Sequence, residues 1–304
     1  MKYIIFHHDD LDGLCSGAII KNYLIKTYGE ETESKLFTFE CNYDRDHQLK
    51  VINEANISEE DVVYIVDFCF DDDLMEMFIY KLNENNFVWI DHHSTAIQRM
   101  KNYKLNGVQD TRYSATMLCW VYANGDAQIP RVVKYIDTFD CWKNADLTHW
   151  NNLIIPFKYA LESKTIDLND SDNVWNNLLE NDNTEDITKL IMEGTIIKQY
   201  VEWKHTEDAK RNAYVCQFEG YRALCINKIG TGSMALQDTF DPTEHDIMLT
   251  YAINAKGKVG VGLYTSKKDI HVGKIAQKFG GGGHPGASGF SVDVKDINMF
   301  LKKD

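Results

Sequence analysis

The chain of 304 residues contains no apolar run that approaches the roughly 20 residues of a membrane-spanning helix. Its first residues offer one lysine and only Tyr3-Ile4-Ile5-Phe6 before charge appears, too little apolar length for a signal peptide. Basic residues are in the minority: 32 Lys and Arg stand against 46 Asp and Glu, a net charge of −14. With no basic stripe, the chain is not built to wrap long duplex DNA. A small phosphate-bearing substrate stays open, because bound metal ions can supply the local positive charge. Disulfide chemistry has little to work with as well. Seven cysteines are scattered, odd in number and without a CxxC pair, which favours the reduced thiols of a cytoplasmic protein. There is no internal repeat, and no low-complexity tract besides one glycine run.

What is present is enough for a core. Hydrophobic residues make up 44% and aromatics 12%, and the length suits about two domains. Tyr3-Phe6, Leu36-Phe39, Val62-Val66 and Phe87-Ile90 read as short buried strands. They alternate with helical stretches through about residue 140, a βαβ pattern that implies a parallel sheet. The expected organisation is α/β: a parallel-sheet domain over residues 1–150, a helical connector over 151–212, and a smaller α/β domain over 213–304. The connector is rich in Asn and Asp at Asn169-Asp170-Ser171-Asp172-Asn173, and Ile187 to Glu207 reads as one long amphipathic helix. The last domain is expected to hold strands near Ala213-Phe218, Arg222-Ile226, Asp246-Asn254 and Val259-Tyr264, then a helix over His271-Phe279.

The first strand runs into His7-His8-Asp9-Asp10-Leu11-Asp12-Gly13, two histidines and three aspartates within six residues, on a strand-to-helix turn. No Lys or Arg follows until Lys21. An aspartate cap on a solvated turn would explain part of this. A divalent metal site would explain all of it, because clustered carboxylates need a cation and His plus Asp suits Mn²⁺, Fe²⁺, Zn²⁺ or Mg²⁺. The third strand ends in Asp67 and the fourth in Asp91-His92-His93. Strand ends in a parallel sheet share one edge, where ligands bind. His8, Asp10, Asp12 and Asp67 brought together with Asp91-His92-His93 point to two cations roughly 3.5–4 Å apart, bridged by a carboxylate, an arrangement suited to phosphoryl chemistry. Asp137 and Asp140, in Lys134-Tyr135-Ile136-Asp137-Thr138-Phe139-Asp140-Cys141-Trp142, are both candidates to complete the site, against a solvated helix end.

Gly280-Gly281-Gly282-Gly283-His284 lies between a helix and the strand Gly289-Val292. Such a run lets backbone approach a ligand and lets N–H groups gather as an anion nest. Arg112-Tyr113-Ser114-Ala115-Thr116 precedes a helix and reads as an N-cap, with Arg112 and Ser114 also candidates to bind substrate, Arg112 at its phosphate. His7, Asp9 and His149 read as structural or exposed, and His205 and His245 as surface residues. Neither Cys15 nor Cys69 is marked as a nucleophile.

Taken in order, His8-x-Asp10-x-Asp12-Gly13, Asp67, Asp91-His92-His93, Asp137-Thr138 and Gly280-Gly283 with His284 resemble the DHH/DHHA1 phosphoesterase family. The match runs over nearly the whole chain. Tyr113-Ser114-Ala115-Thr116 and the Asp137-Thr138-x-x-x-Trp142 pattern look most like the nanoRNA-degrading oligoribonuclease branch. The resemblance implies two Mn²⁺ ions, with Mg²⁺, Co²⁺ or Fe²⁺ as substitutes. His8, Asp10 and Asp67 would hold one ion, and Asp12, Asp67, His92 and Asp137 the other. Asp91 would orient a ligand and His93 would assist at the substrate phosphate, beside His92. Gly281, Gly282, Gly283 and His284 would grip the 3′ nucleotide. A homodimer is a further implied partner. Relatives often carry an Arg where this chain has Tyr264, and Lys267 or Lys268 are candidates to compensate. The implied activity is hydrolysis of short RNA or linear dinucleotides to 5′-mononucleotides by a metal-activated water. Alternatives on the same framework are a phosphodiesterase of cyclic (di)nucleotides, a 3′,5′-bisphosphate nucleotidase, a pyrophosphatase, or a non-catalytic nucleotide-binding protein.

Overall fold

Strand and helix alternate from the first residues of the computed structural model, which describes residues 1–170, 173–228, 230–255 and 257–298. Ser171 and Asp172 of the Asn/Asp-rich stretch lie outside the described residues. The chain divides into two compact units, Met1–Lys198 and Gln199–Asp304. The fold class is mixed α/β.

The first unit opens β1 (Tyr3–His8), α1 (Leu11–Tyr28), β2 (Leu36–Cys41), α2 (Arg45–Ala55), β3 (Val62–Val66), α3 (Asp72–Lys81), β4 (Phe87–Asp91), α4 (Ser94–Met100) and β5 (Asn106–Gln109). It continues as helices: α5 (Ala115–Asn124), α6 (Arg131–Asp140), the single turn α7 (Leu147–His149), α8 (Ile155–Glu162) and α9 (Val174–Asn181). The long helix α10 (Thr184–Asn212) follows and runs through the boundary between the units. All strand pairs are parallel, in the order β2-β1-β3-β4-β5. Side chains alternate across each strand. Ile4, Phe6, Val63, Ile65 and Trp89 therefore meet the helices α2, α3 and α4 on one face. Tyr3, Ile5, Tyr64, Val66 and Ile90 meet α1 and α5 on the other. Phe157, Trp175, Leu178, Ile187 and Leu190, all from the stretch read as a connector, pack into this second core. Strand β5 escaped the sequence reading. Asn106-Gly107-Val108-Gln109 has no apolar alternation, and as the edge strand it packs only Val108 against the core.

The second unit is a separate sheet, in the order β10-β11-β9-β8-β7-β6. Its elements are β6 (Tyr214–Phe218), β7 (Tyr221–Asn227), β8 (Ile247–Ile253), β9 (Lys258–Tyr264), α11 (Val272–Gln277), β10 (Gly282–Gly283) and β11 (Ala287–Asp293). Among the described residues of this unit only β7 and β8 pair in parallel. Val272, Ile275 and Ala276 of α11 bury against Cys225, Leu249 and Val261 of the sheet.

Candidate metal centre

Strand β1 connects through α1 to β2 on one side, and its other neighbour β3 connects through α3 to β4 on the far side, so the connections that leave β1 and β3 diverge. That divergence opens a crevice at the carboxyl ends of β1 and β3. His8 ends β1, Asp67 follows β3 and Asp91 ends β4, so these three adjacent strands deliver their polar termini to one place. Helix α1 starts hard against them. Gly13 makes this possible, because a Cβ there would collide with the His8 backbone.

Asp10 serves two roles with two oxygens. Its Oδ1 accepts the Gly13 N–H at 3.0 Å as the α1 cap, and its Oδ2 faces His8 Nδ1 at 2.8 Å. The His8 ring is set between Tyr43 and Phe68, at 5.3 and 6.1 Å between centroids. Asp12 is buried and lies at the start of α5, accepting the Ala115 and Thr116 N–H groups at 2.8 Å each. A helix N-terminus favours such a charge.

Asp67 sits at the middle. It has φ of 54°, which is unusual for a residue other than glycine, and its side chain is fully buried. Neither of its oxygens has a hydrogen-bond partner. Oδ2 lies 3.8 Å from His8 Nδ1, and Oδ1 lies 3.3 Å from His92 Nε2 and 3.9 Å from His93 Nδ1. His92 Nε2 is also 3.6 Å from Asp12 Oδ2 and 3.3 Å from Asp140 Oδ2. Three ligand groups result: His8, Asp10 and Asp67; Asp67, His92 and His93; and His92, Asp140 and Cys141. Burial and the charges of Asp12, Asp10, Asp140 and Asp91 push the Asp67 carboxyl well above the usual range. Burial and Asp12 do the same to Asp140, whose Oδ2 also lacks a partner. A buried carboxylate without donors is costly unless a cation meets it. Imidazole nitrogens with carboxylate oxygens are the donor set of Mn²⁺, Fe²⁺, Zn²⁺ or Mg²⁺. The residues present therefore fit divalent metal ions, with Asp67 shared between two groups.

A DHHA1 domain matches residues 232–303. The chain is 24% identical to the oligoribonuclease NrnB of Bacillus subtilis, over 98% of this chain and 75% of that protein. Among solved structures it resembles the DHH domain of a member of the s1p family of ribosomal proteins, with a TM-score of 0.68 at 16% identity, covering 99% of this chain and 85% of that one. It also resembles RecJ of Thermus thermophilus in complex with Mn²⁺, with a TM-score of 0.53 at 14% identity, covering 99% of this chain and 51% of that one. The chain carries a DHHA1 domain and is similar to the DHH/DHHA1 phosphoesterases. The ordered motifs that carry this likeness are those that surround Asp67, and a DHH segment is legible in Asp91-His92-His93 itself. Asp91 is fully buried, and its Oδ1 accepts the His92 N–H at 2.7 Å, the His93 N–H at 3.2 Å and His93 Nδ1 at 2.7 Å. It thus shapes the turn that presents both histidines. Burial pulls the His93 pKa down, but the hydrogen bond and charge of Asp91 outweigh it and raise it to about 9.

Not every expected site residue joins the cluster of this DHH segment. Asp137 points elsewhere: Oδ1 accepts the Ser114 N–H at 2.9 Å, and Oδ2 pairs with Lys143 Nζ at 2.6 Å. Asp140, one helical turn later on α6, takes the place beside His92. Cys141 was not singled out in the sequence. Burial and the Asp137 charge push its thiol up to about 12, so it stays protonated and is a poor ligand for a hard cation. Ser114 is buried as the α5 cap and accepts the Met117 N–H at 3.4 Å. Arg112 is exposed and grips Asp110, with Nη2 at 2.6 Å from Oδ2. His7 is buried, and so is His205, which was expected on the surface but lies on the inward face of α10.

In the DHHA1 part, the glycine run has a packing reason of its own. A Cβ at Gly281 would collide with the Gly289 carbonyl and Phe290, and Gly283 has φ of 134°. The Gly281 N–H donates to the Ala276 carbonyl at 3.0 Å and the His284 N–H to the Ala287 carbonyl at 2.7 Å. The His284 side chain is exposed. Lys267 is occupied by Asp246 at 2.7 Å, whereas Lys268 is exposed. Among the described residues no helix is long and apolar enough to cross a membrane.

Proposed function

We propose that the chain is a cytoplasmic, Mn²⁺-dependent phosphodiesterase that releases 5′-mononucleotides from very short RNA, linear dinucleotides included. One observation carries the reading: Asp67, buried and strained, offers two partnerless oxygens, one toward His8 and one toward His92. His8, Asp10 and Asp67 would hold one ion, and Asp67, His92, Asp12 and Asp140 the other, with Asp140 in the role first given to Asp137. Ions held there supply an activated water and neutralise charge on the phosphate oxygens. The chain's own groups do the rest. Asp91 holds His93 by Nδ1, which leaves Nε2 as the ring atom to meet the substrate phosphate or leaving oxygen. Arg112 would exchange Asp110 for phosphate, and Ser114 would act only by capping α5. A small cavity of about 60 Å³ beside Asp10, Asp12 and Asp140 is lined by Leu11, Tyr135, Phe139 and Phe157, an apolar and aromatic surface against which a nucleobase would stack. Gly281, Gly282, Gly283 and His284 would take the 3′ nucleotide, so that residues 1–150 carry the chemistry and 213–304 the grip on substrate. The relation to an enzyme named an oligoribonuclease and to RecJ in complex with Mn²⁺ supports this choice of substrate and metal.

A second reading, a 3′,5′-bisphosphate nucleotidase, is favoured by Tyr264 standing where relatives often carry an arginine, with Lys267 tied to Asp246. Product analysis separates the two. The experiment offers a 5′-labelled RNA dinucleotide, a five-nucleotide RNA and a 3′,5′-bisphosphate nucleotide, each with Mn²⁺ and with chelator. Mn²⁺-dependent mononucleotides from the RNAs are expected. Free phosphate from the bisphosphate alone would establish the second reading, and no product from any of them would overturn both.

A further inference from the structure

We propose that Tyr43 is a further catalytic residue, whose hydroxyl donates a hydrogen bond to a non-bridging oxygen of the scissile phosphate. The proposal rests on the phosphodiesterase reading given above. Strand register places the residue. Cys41, the last residue of β2, pairs with His8, the last residue of β1. Tyr43 follows two residues later, so it emerges at the sheet edge that carries His8, Asp67 and Asp91, on the turn into α2. That turn is tied down on both sides of it. Asn42 Oδ1 accepts the Asp44 N–H at 3.0 Å, and Asp44 Oδ1 accepts the His47 N–H at 3.1 Å as the α2 cap.

The Tyr43 ring centroid lies 5.0 Å from that of Phe68 and 5.3 Å from that of His8, yet the residue stays 59% exposed. A tyrosine kept for packing buries its ring and finds its hydroxyl a partner. Among the described residues this hydroxyl has no hydrogen-bond partner, and the carboxylates whose charge bears on it are Asp91, Asp67 and Asp10. It is thus a donor left unengaged beside the metal centre. Phenylalanine would keep both ring contacts and lose only that donor. Phosphate calls for donors, and three cations of this unit are already held by carboxylates at 2.6 Å: Lys143 by Asp137, Arg112 by Asp110 and Lys158 by Glu162. A hydroxyl suits the place better than a further ammonium or guanidinium. It donates to a phosphate oxygen without adding a positive charge that would compete for the site's carboxylates.

The test is Tyr43→Phe in the full chain, which keeps the ring against His8 and Phe68. Steady-state rates are measured in Mn²⁺ on an RNA dinucleotide and on its two phosphorothioate diastereomers, in which sulfur, a poor acceptor, replaces one or the other non-bridging oxygen. On the oxygen substrate the variant should lose on the order of a hundredfold in kcat/KM, the effect of removing one such donor. On one of the two diastereomers the loss should shrink to about threefold or less, because the acceptor is already gone and the two changes are coupled. The Mn²⁺-induced rise in melting temperature, which does not depend on turnover, should match the wild type. A variant that turns over like the wild type, or one whose loss is equal on all three substrates, would overturn the proposal. So would a lost Mn²⁺ response, since Tyr43 would then act on the ions through His8 and not on the substrate. A wild-type chain that cleaves none of the RNA substrates is a separate result, read before the variant is compared, and it would overturn the phosphodiesterase reading together with the proposal that rests on it.

Discussion

Replacing Asp67 by Asn should strengthen the metal-free protein while removing its response to metal. The metal-free site holds a fully buried carboxyl with no donor to either oxygen, beside four other carboxylates that raise its pKa further. A buried polar group left without a partner costs about 1–3 kcal/mol. Asn carries no charge, its amide can donate to the neighbouring carboxylates, and it tolerates the φ of 54° at least as well as Asp. A gain of about 1–2 kcal/mol corresponds to a rise of roughly 2–8 °C in melting temperature for a unit of this size. The pH dependence has a definite sign. A carboxyl whose folded pKa is raised binds more protons folded than unfolded, so stability is complete below the unfolded value and is lost as pH rises through the raised one. The gain from Asp67→Asn should therefore be larger at neutral pH than at acidic pH. With metal the order reverses: at a hundredfold excess over its Kd, a bound ion stabilises by about 2.7 kcal/mol, and the variant forgoes most of this. Scanning calorimetry of chelated and Mn²⁺-loaded protein reads both effects. A chelated Asp67→Asn that melts below the wild type, or one that keeps the full Mn²⁺ shift, would refute the reasoning.

Two further outcomes are expected. Asp140→Asn should abolish most of the Mn²⁺-induced rise in melting temperature and leave chelated stability near wild type, whereas Asp137→Asn should keep the metal response and lose about 1 kcal/mol through its Lys143 pair. The same calorimetry on both variants decides, and a metal response lost only in Asp137→Asn would return that residue to the site. His7 is fully buried, and burial is the main cause that lowers its pKa from 6.5 to about 4 despite its hydrogen bond to the His8 carbonyl. A histidine with a depressed folded pKa stabilises fully above its unfolded value, so that contribution should be lost as pH falls from about 6.5 toward 4 and amount to about 3 kcal/mol. His7→Asn, which keeps a donor toward the carbonyl, should flatten this part of the pH–stability curve of the chelated protein, and an unchanged acid slope would show that His7 is already charged in the folded state.

The residues at the strand ends were legible because a parallel sheet leaves them little freedom. Once Tyr3–Phe6, Val62–Val66 and Phe87–Ile90 are strands of one sheet, whatever follows each must emerge at the same edge, and His8, Asp67 and Asp91-His92-His93 do so. The strand order, which no local signal carries, decides that β1, β3 and β4 are neighbours. No such constraint acts on Asp137 and Asp140. They are three residues apart on α6, close enough in angle for either to face inward, and the choice is made by groups that sequence spacing does not reveal as partners. Lys143 and the Ser114 N–H claim Asp137, so the carboxylate left for His92 is Asp140. The glycine run shows the same limit from the other side. Close packing of Gly281 on Gly289 and the left-handed backbone at Gly283 demand glycine before any ligand does. A glycine pattern alone therefore cannot separate an anion nest from a tight crossing of strands, whereas a buried Asp67 with a left-handed backbone and two partnerless oxygens has no packing reason to exist. That asymmetry is why the weight of the functional assignment rests on the carboxylate and not on the glycines.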